Sequence, residues 1–266
     1  MILLCRGAAT DYHCLMRTRL AIAAFIAVMF SAPLAPAITS GVPTQAIDRR
    51  YDAVAGVTLT EWAGINNVFG NATLIAPDRV IMPRHLINST YTNRSSKDGT
   101  PGAYTIRFRR RPDGTLGNAS DPTTFYQVKV KTWIFPNGRK DTDDVVVGIL
   151  EQPVTHITPM AMDLKTIPKK NAIVKVASWG PQAAPEGRVV PKGTLMNGAM
   201  KVASADKNKI KMAAPSAAAT AGVVTNDSGS PLIIETSGVL KLVGYVTTPT
   251  TGVAISQLQG SRLLAR

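Results

Sequence analysis

Apolar residues in this chain come in short alternating runs, and no stretch sustains a long 3.6-residue period. Val54 to Leu59, Ala72 to Ile75, Tyr104 to Phe108, Tyr126 to Val130 and Val145 to Leu150 read as strands. So do Ala172 to Ala177, Leu232 to Ile234, Leu240 to Val246 and Val253 to Ile255. Turn formers punctuate them: Asp98 to Gly102, Pro112-Asp113-Gly114 and Pro136-Asn137-Gly138. Short strands so divided indicate an all-β sandwich or barrel. The 21 glycines and 18 prolines exclude a helical bundle, and 45% apolar residues exclude a disordered chain. The one helix expected is C-terminal, Ser256 to Arg266, with Leu258, Leu263 and Leu264 on one side. Gly260 weakens it by up to about 1 kcal/mol.

The N-terminus reads as an export signal. Arg17 and Arg19 precede the apolar run Leu20 to Phe30, and Ala35-Pro36-Ala37 supplies small residues for cleavage. The run is too short for a membrane span, which needs about 20 residues. Residues 1–15 fit poorly before such a signal, which makes Met16 an alternative start. Cys5 and Cys14 both precede Ala37, so the mature chain starts at Ile38 without cysteine. Removing 37 of 266 residues leaves 229, and losing Arg6, Arg17, Arg19 and Asp11 takes the net charge from +13 to +11. This predicts a secreted or periplasmic protein with no transmembrane segment.

Glu151 to Lys170 carries Pro153, Pro159 and Pro168 and lacks alternation, so it reads as a crossing between two halves, 38–155 and 156–266. Between a loop and an apolar strand stands Asn226-Asp227-Ser228-Gly229-Ser230-Pro231-Leu232. Alone this string is a turn. A serine nucleophile needs a base, and the base an orienting acid. The mature chain has only His85 and His156; His156 reads as a solvated linker residue. Asp144 directly precedes the apolar run Val145 to Leu150, with Asp141 and Asp143 in the turn before it.

These residues resemble the landmarks of the chymotrypsin-like (trypsin-fold) serine protease family. Asn71 to His85 (NATLIAPDRVIMPRH) resembles the family's base segment, GTLI-x-P-x-x-VLTAAH. Asp144 to Pro153 (DVVVGILEQP) resembles the acid segment, with Leu150 and Pro153 in register. Val176 to Gly180 (VASWG) resembles VAGWG, Asn226 to Leu232 resembles GDSGGPL, and Leu242 to Thr247 resembles the strand beside the substrate. The order His, Asp, Ser is the family's, and the landmarks cover nearly the whole mature chain.

The resemblance implies two six-stranded antiparallel Greek-key barrels, side by side. It implies a serine endopeptidase with a His85–Asp144–Ser228 triad, an oxyanion hole of the Asn226 and Ser228 N–H groups, and no metal or cofactor. It places the specificity pocket at Gly222, Thr247 and Pro249. No Asp or Glu lies in Ala221 to Thr225, so small or apolar side chains are preferred over Lys or Arg. It also implies an activating pair between the Ile38 α-amino group and Asp227, so that signal cleavage itself would switch the enzyme on. Asn226 and Ser230 stand where the family has glycine, and Pro83-Arg84 where it has small residues. These departures keep open a catalytically impaired binding protein of the same fold, using its basic surface.

The charge clusters at Arg107, Arg109, Arg110 and Arg111, at Lys129, Lys131, Arg139 and Lys140, and at Lys201, Lys207, Lys209 and Lys211. They read as a solvated basic surface, with contact to anionic polymers or membranes as the alternative. Aromatic residues are only 6%, thin for stacking single strands. The expected partners are a protein or peptide substrate and such a polymer, with the protein a monomer. Glycosylation sequons occur at Asn71, Asn88, Asn93, Asn118 and Asn226.

Overall fold

The computed structural model describes residues 42–44, 48–62, 68–87, 99–136, 144–179, 182–183, 189–190, 194–213 and 227–259. All belong to one compact unit, Ala35–Arg266. The fold is all-β. In the first half, β1 (Val54–Leu59), β2 (Gly70–Ala76), β3 (Arg79–Met82), β4 (Tyr104–Phe108), β5 (Tyr126–Ile134) and β6 (Val146–Leu150) form a closed antiparallel barrel. Its ring order is β1-β2-β3-β6-β5-β4. In the second half, β7 (Ile173–Ser178), β8 (Met196–Ala205), β9 (Lys209–Met212), β10 (Pro231–Thr236), β11 (Val239–Thr248) and β12 (Thr251–Ala254) close as β7-β8-β9-β12-β11-β10. The two rings have the same order, although the sequence carries no detectable internal repeat. Closure leaves neither sheet an open edge.

Strands β1, β4 and β6 follow the expected alternation of branched and aromatic residues. Every residue of β1 is buried. β8 and β9 are strands that the apolar pattern misses. β8 reads MNGAMKVASA, small and glycine-bearing, and β9 is only KIKM. Their register is set by neighbours: Met196 to Lys201 pair with Ser178 to Ile173, and Lys209 to Lys211 with Val253 to Thr251. Ile255, expected at the end of a strand, instead opens a 3-10 turn, Ile255–Leu258. The rest of the expected tail helix, from Gly260 on, lies outside the described residues.

Trp179 pins the halves together. It follows β7, is 1% exposed, and donates its indole N–H to the Val54 carbonyl of β1 at 2.9 Å. Phe125 meets its ring edge-on, with centroids 5.2 Å apart. The crossing segment also touches both barrels, because Met160 N–H donates to Leu74 and Asp163 N–H to Leu242, at 2.9 and 2.8 Å. His156 in this segment is not simply solvated. Its Nε2 lies 3.0 Å from the Arg110 carbonyl oxygen, and its ring stands perpendicular to Tyr126 at 4.6 Å.

The arginine cluster is the largest departure from expectation. Arg107, Arg109 and Arg110 are 0%, 5% and 7% exposed. Arg107 lies over the Phe125 ring, 5.5 Å from its centroid. Arg109 and Arg110 both donate to buried Asp52, at 2.7 and 2.5 Å. Arg109 also reaches the carbonyls of Thr44, at 3.3 Å, and Asp48. Burial pushes the Arg109 guanidinium pKa down, and the Asp52 carboxylate opposes that. Of that quartet only Arg111 remains a surface cation. Arg107, Arg109 and Arg110 are therefore structural charges and not solvated surface.

Candidate active site

The three residues of the expected triad come from three different turns. β3 ends at Met82, and Pro83 cannot extend the ladder because it lacks an N–H. The chain then makes a single 3-10 turn, Arg84–Ile87. Leu86 and Ile87 are fully buried, and Arg84 stacks over Phe135 at 5.2 Å. His85 is the one residue of that turn left partly exposed.

Asp144 sits just before β6 and engages His85 twice. One carboxylate oxygen accepts the His85 backbone N–H at 2.8 Å, and the other lies 2.7 Å from Nδ1. A carboxylate only accepts, so Nδ1 carries the proton and Nε2 is the basic ring nitrogen. Gripping both the main chain and the ring fixes the tautomer and the ring orientation. The Asp144 backbone is held in turn, because Tyr245 of β11 donates its hydroxyl to the Asp144 carbonyl at 2.7 Å.

Ser228 lies in the tight turn Asp227-Ser228-Gly229-Ser230, closed by the Ser230 N–H on the Asp227 carbonyl at 2.9 Å. Gly229 has φ +87°, the conformation that the third position of a type II turn requires. A Cβ there would also collide with the Asn71 carbonyl oxygen and lie 3.1 Å from Pro83 Cδ. The serine turn is thus packed on Pro83, two residues before His85. It is stitched to β11 by Gly229 N–H to Val246 O at 2.7 Å and Val246 N–H to Ser230 O at 2.9 Å. The Ser228 hydroxyl is 3.4 Å from the Thr247 carbonyl. Asp227 is wholly buried.

Asn71 is the site residue that the sequence reading misses, taking it as a glycosylation sequon. It is fully buried on β2. Its backbone N–H donates to the Ser228 carbonyl at 2.7 Å, and its side-chain amide lies 3.4 Å from the same oxygen. The amide also donates to Ser178 Oγ at 3.1 Å, while its oxygen accepts the Trp179 N–H at 2.8 Å. One side chain of the first barrel therefore links the serine turn to the end of β7. An asparagine inside an otherwise apolar strand is the only sequence signal of this role. Asn71→Ala removes the acceptor of the buried Trp179 N–H and the donor to Ser178 Oγ, and is expected to cost about 2–6 kcal/mol, at roughly 1–3 per group. Thermal unfolding checks this, and an unchanged midpoint contradicts it.

Of the residues expected to line the specificity pocket, Thr247 is part-buried and its hydroxyl lies 3.2 Å from the Thr251 carbonyl. Pro249 is exposed in the turn between β11 and β12, which closes with Thr248 paired to Thr251. Gly222, Asn226 and Ile38 lie outside the described residues, as do Asp141 and Asp143. Among the described residues, no group of three His, Cys, Asp or Glu side chains converges as a metal site, and no helix is long and apolar enough to cross a membrane. No protein-family model matches the chain, and no curated protein matches it.

Proposed function

We propose that the chain is an exported serine endopeptidase that hydrolyses peptide bonds through an acyl-enzyme. The observation that carries this reading is the double grip of Asp144 on His85, 2.8 Å to the main chain and 2.7 Å to Nδ1. A merely structural ion pair has no need to fix a tautomer. Ser228, on a turn braced against both barrels, is the nucleophile. Its Oγ attacks the scissile carbonyl while His85 Nε2 takes the hydroxyl proton. His85 then returns that proton to the leaving amine, and Asp144 stabilises the imidazolium between the two steps. Water next adds to the acyl carbonyl with His85 again as base, which frees the acid product and Ser228. The backbone N–H groups of Ser228 and Asn226 are the donors for the oxyanion, where one such bond contributes about 3 kcal/mol.

The activating amine is that of Ile38, paired with Asp227. The burial of Asp227 supports this pairing, as does the seating of Val42–Pro43 against Asn197–Met196 of β8, a few residues after Ile38. The substrate is a protein or peptide with a small or apolar residue before the cut bond, and the enzyme acts as a monomer. The alternative is a catalytically impaired binding protein of the same fold that uses its basic surface; with Arg107, Arg109 and Arg110 buried, that surface is left to Arg111 and the exposed lysines, Lys207, Lys209 and Lys211 among them. A fluorophosphonate probe tests the reading. Mature wild type is expected to label at Ser228 and Ser228→Ala not at all. Folded wild type that stays unlabelled supports the binding protein instead.

A further inference from the structure

Beside the triad a groove of about 550 Å³ runs from Asp144, Thr247 and Thr248 to Asn208, Lys209 and Gln257. A second depression of about 480 Å³ shares Asn208 and Gln257 with it and adds Lys165, Lys207, Ser256 and Gln259. The two form one path from the reacting residues onto the outer face of the second barrel.

Lys207 and Lys209 stand on a hydrogen-bonded turn. The turn between β8 and β9 is closed by the Asp206 N–H on the Lys209 carbonyl at 2.9 Å. Asp206 spends one carboxylate oxygen on the Asn208 and Lys209 N–H groups, at 2.8 and 2.9 Å. Ser256 donates to the Lys207 carbonyl at 2.9 Å, and Ala254 N–H to the Asn208 carbonyl at 3.0 Å. These bonds hold the backbone of the turn that carries Lys207 and Lys209. Lys165, Lys207 and Lys209 are exposed. Among the described residues none of the three is in an ion pair. Asp206 is the one carboxylate on the turn, and Asp144, at the groove's inner end, is engaged by His85.

We propose that this path is a substrate-recognition surface for acidic segments of a polypeptide, flanking the bond to be cut. The proposal rests on the proteolytic reading of the site and names its substrate class. Asp206 beside Lys207 and Lys209, and Asp163 beside Lys165, spend an oxygen on backbone N–H groups of their own turns, and the three exposed lysines select carboxylates. The path opens at Thr247 and Thr248, beside the nucleophile, so the chain being cut is the polymer delivered to it. A nucleic acid fits less well, because among the described residues no aromatic side chain lines either depression.

The test is cleavage of a randomised peptide mixture, with the products sequenced by mass spectrometry. Wild type is expected to enrich Asp and Glu among the residues near the cut. Lys207→Glu/Lys209→Glu is expected to abolish or reverse that enrichment, and to lower kcat/KM on an acidic peptide about tenfold while sparing a neutral one. The preference should fade between low and high salt, as it does for exposed charges. Fluorophosphonate labelling of the variant should match wild type, since neither lysine takes part in the chemistry. Labelled wild type with no acidic enrichment overturns the proposal and leaves the protease reading standing. Wild type that does not label overturns both. Retention on single-stranded DNA that the variant loses, without any peptide preference, also overturns the proposal.

Discussion

Asp144→Asn is expected to lower kcat about ten-thousand-fold while leaving the protein folded. The reason lies in the two bonds that one carboxylate makes to one residue. An amide offers one acceptor and one donor where the carboxylate offers two acceptors. The His85 backbone N–H is a fixed donor, so it keeps the amide oxygen. The amide NH2 then faces Nδ1, which must become an acceptor. The ring proton moves to Nε2, and the base that should receive the serine proton is lost. If the amide turns over, its NH2 opposes the main-chain N–H and the His85 turn is pushed out of place. Either way the loss corresponds to about 5 kcal/mol of transition-state stabilisation, at about 1.4 per decade. The measurements are kcat on a peptide and the rate of fluorophosphonate labelling, with a thermal midpoint to show an intact fold. A loss under tenfold would mean that Asp144 does not set the tautomer.

The largest expected effect on stability belongs to Asp52. Its carboxylate is 3% exposed and holds two buried guanidinium groups, Arg109 at 2.7 Å and Arg110 at 2.5 Å. A third, Arg49, approaches to 3.7 Å from solvent. Asp52→Asn removes the carboxylate to which both buried guanidinium groups donate. Removing one partner of a buried pair costs about 3–5 kcal/mol. At roughly 2–4 °C per kcal/mol for a domain of this size, the thermal midpoint should fall by on the order of 10 °C. Added salt should not restore it, because screening acts weakly on buried charges. A midpoint within a degree or two of wild type would show that the cluster is hydrated. Arg109 also holds the Thr44 and Asp48 carbonyls, so the same variant should expose the segment after Pro43 to proteolysis.

These two sites differ in how far the sequence foretells them. Asp144 is legible because its neighbours are. An acid directly before the apolar run Val145 to Leu150 must sit at a strand's entrance, and β6 begins at Val146. His85 and Ser228 are legible in the same way, each beside a strand and a turn former. Asp52 is not. It lies 57 residues before Arg109 in an unremarkable stretch, and nothing local says that the Arg107 to Arg110 string faces inward. Charge strings read as surface because isolated cations are costly to bury, and only a partner brought by the fold reverses that. Asn71 was obscured for the same reason. Its bonds go to Ser178, Trp179 and Ser228, all more than 100 residues away. β8 and β9 escaped because small residues and lysines carry little strand preference of their own; neighbours on both sides of the barrel impose it.

Alternation and turn chemistry, both properties of adjacent residues, establish that the chain is all-β and where most of its strands run. The resemblance of the segments around His85, Asp144 and Ser228 to the landmarks of the chymotrypsin-like family nominates them. Closure into two rings of identical order does not follow from local preference, because strand pairing is a contact between distant segments. Nor do the buried arginines, the Asn71 clamp or the lysine-lined groove. Each exists only where barrel closure sets charges and amides from remote parts of the chain within hydrogen-bonding distance or along one surface.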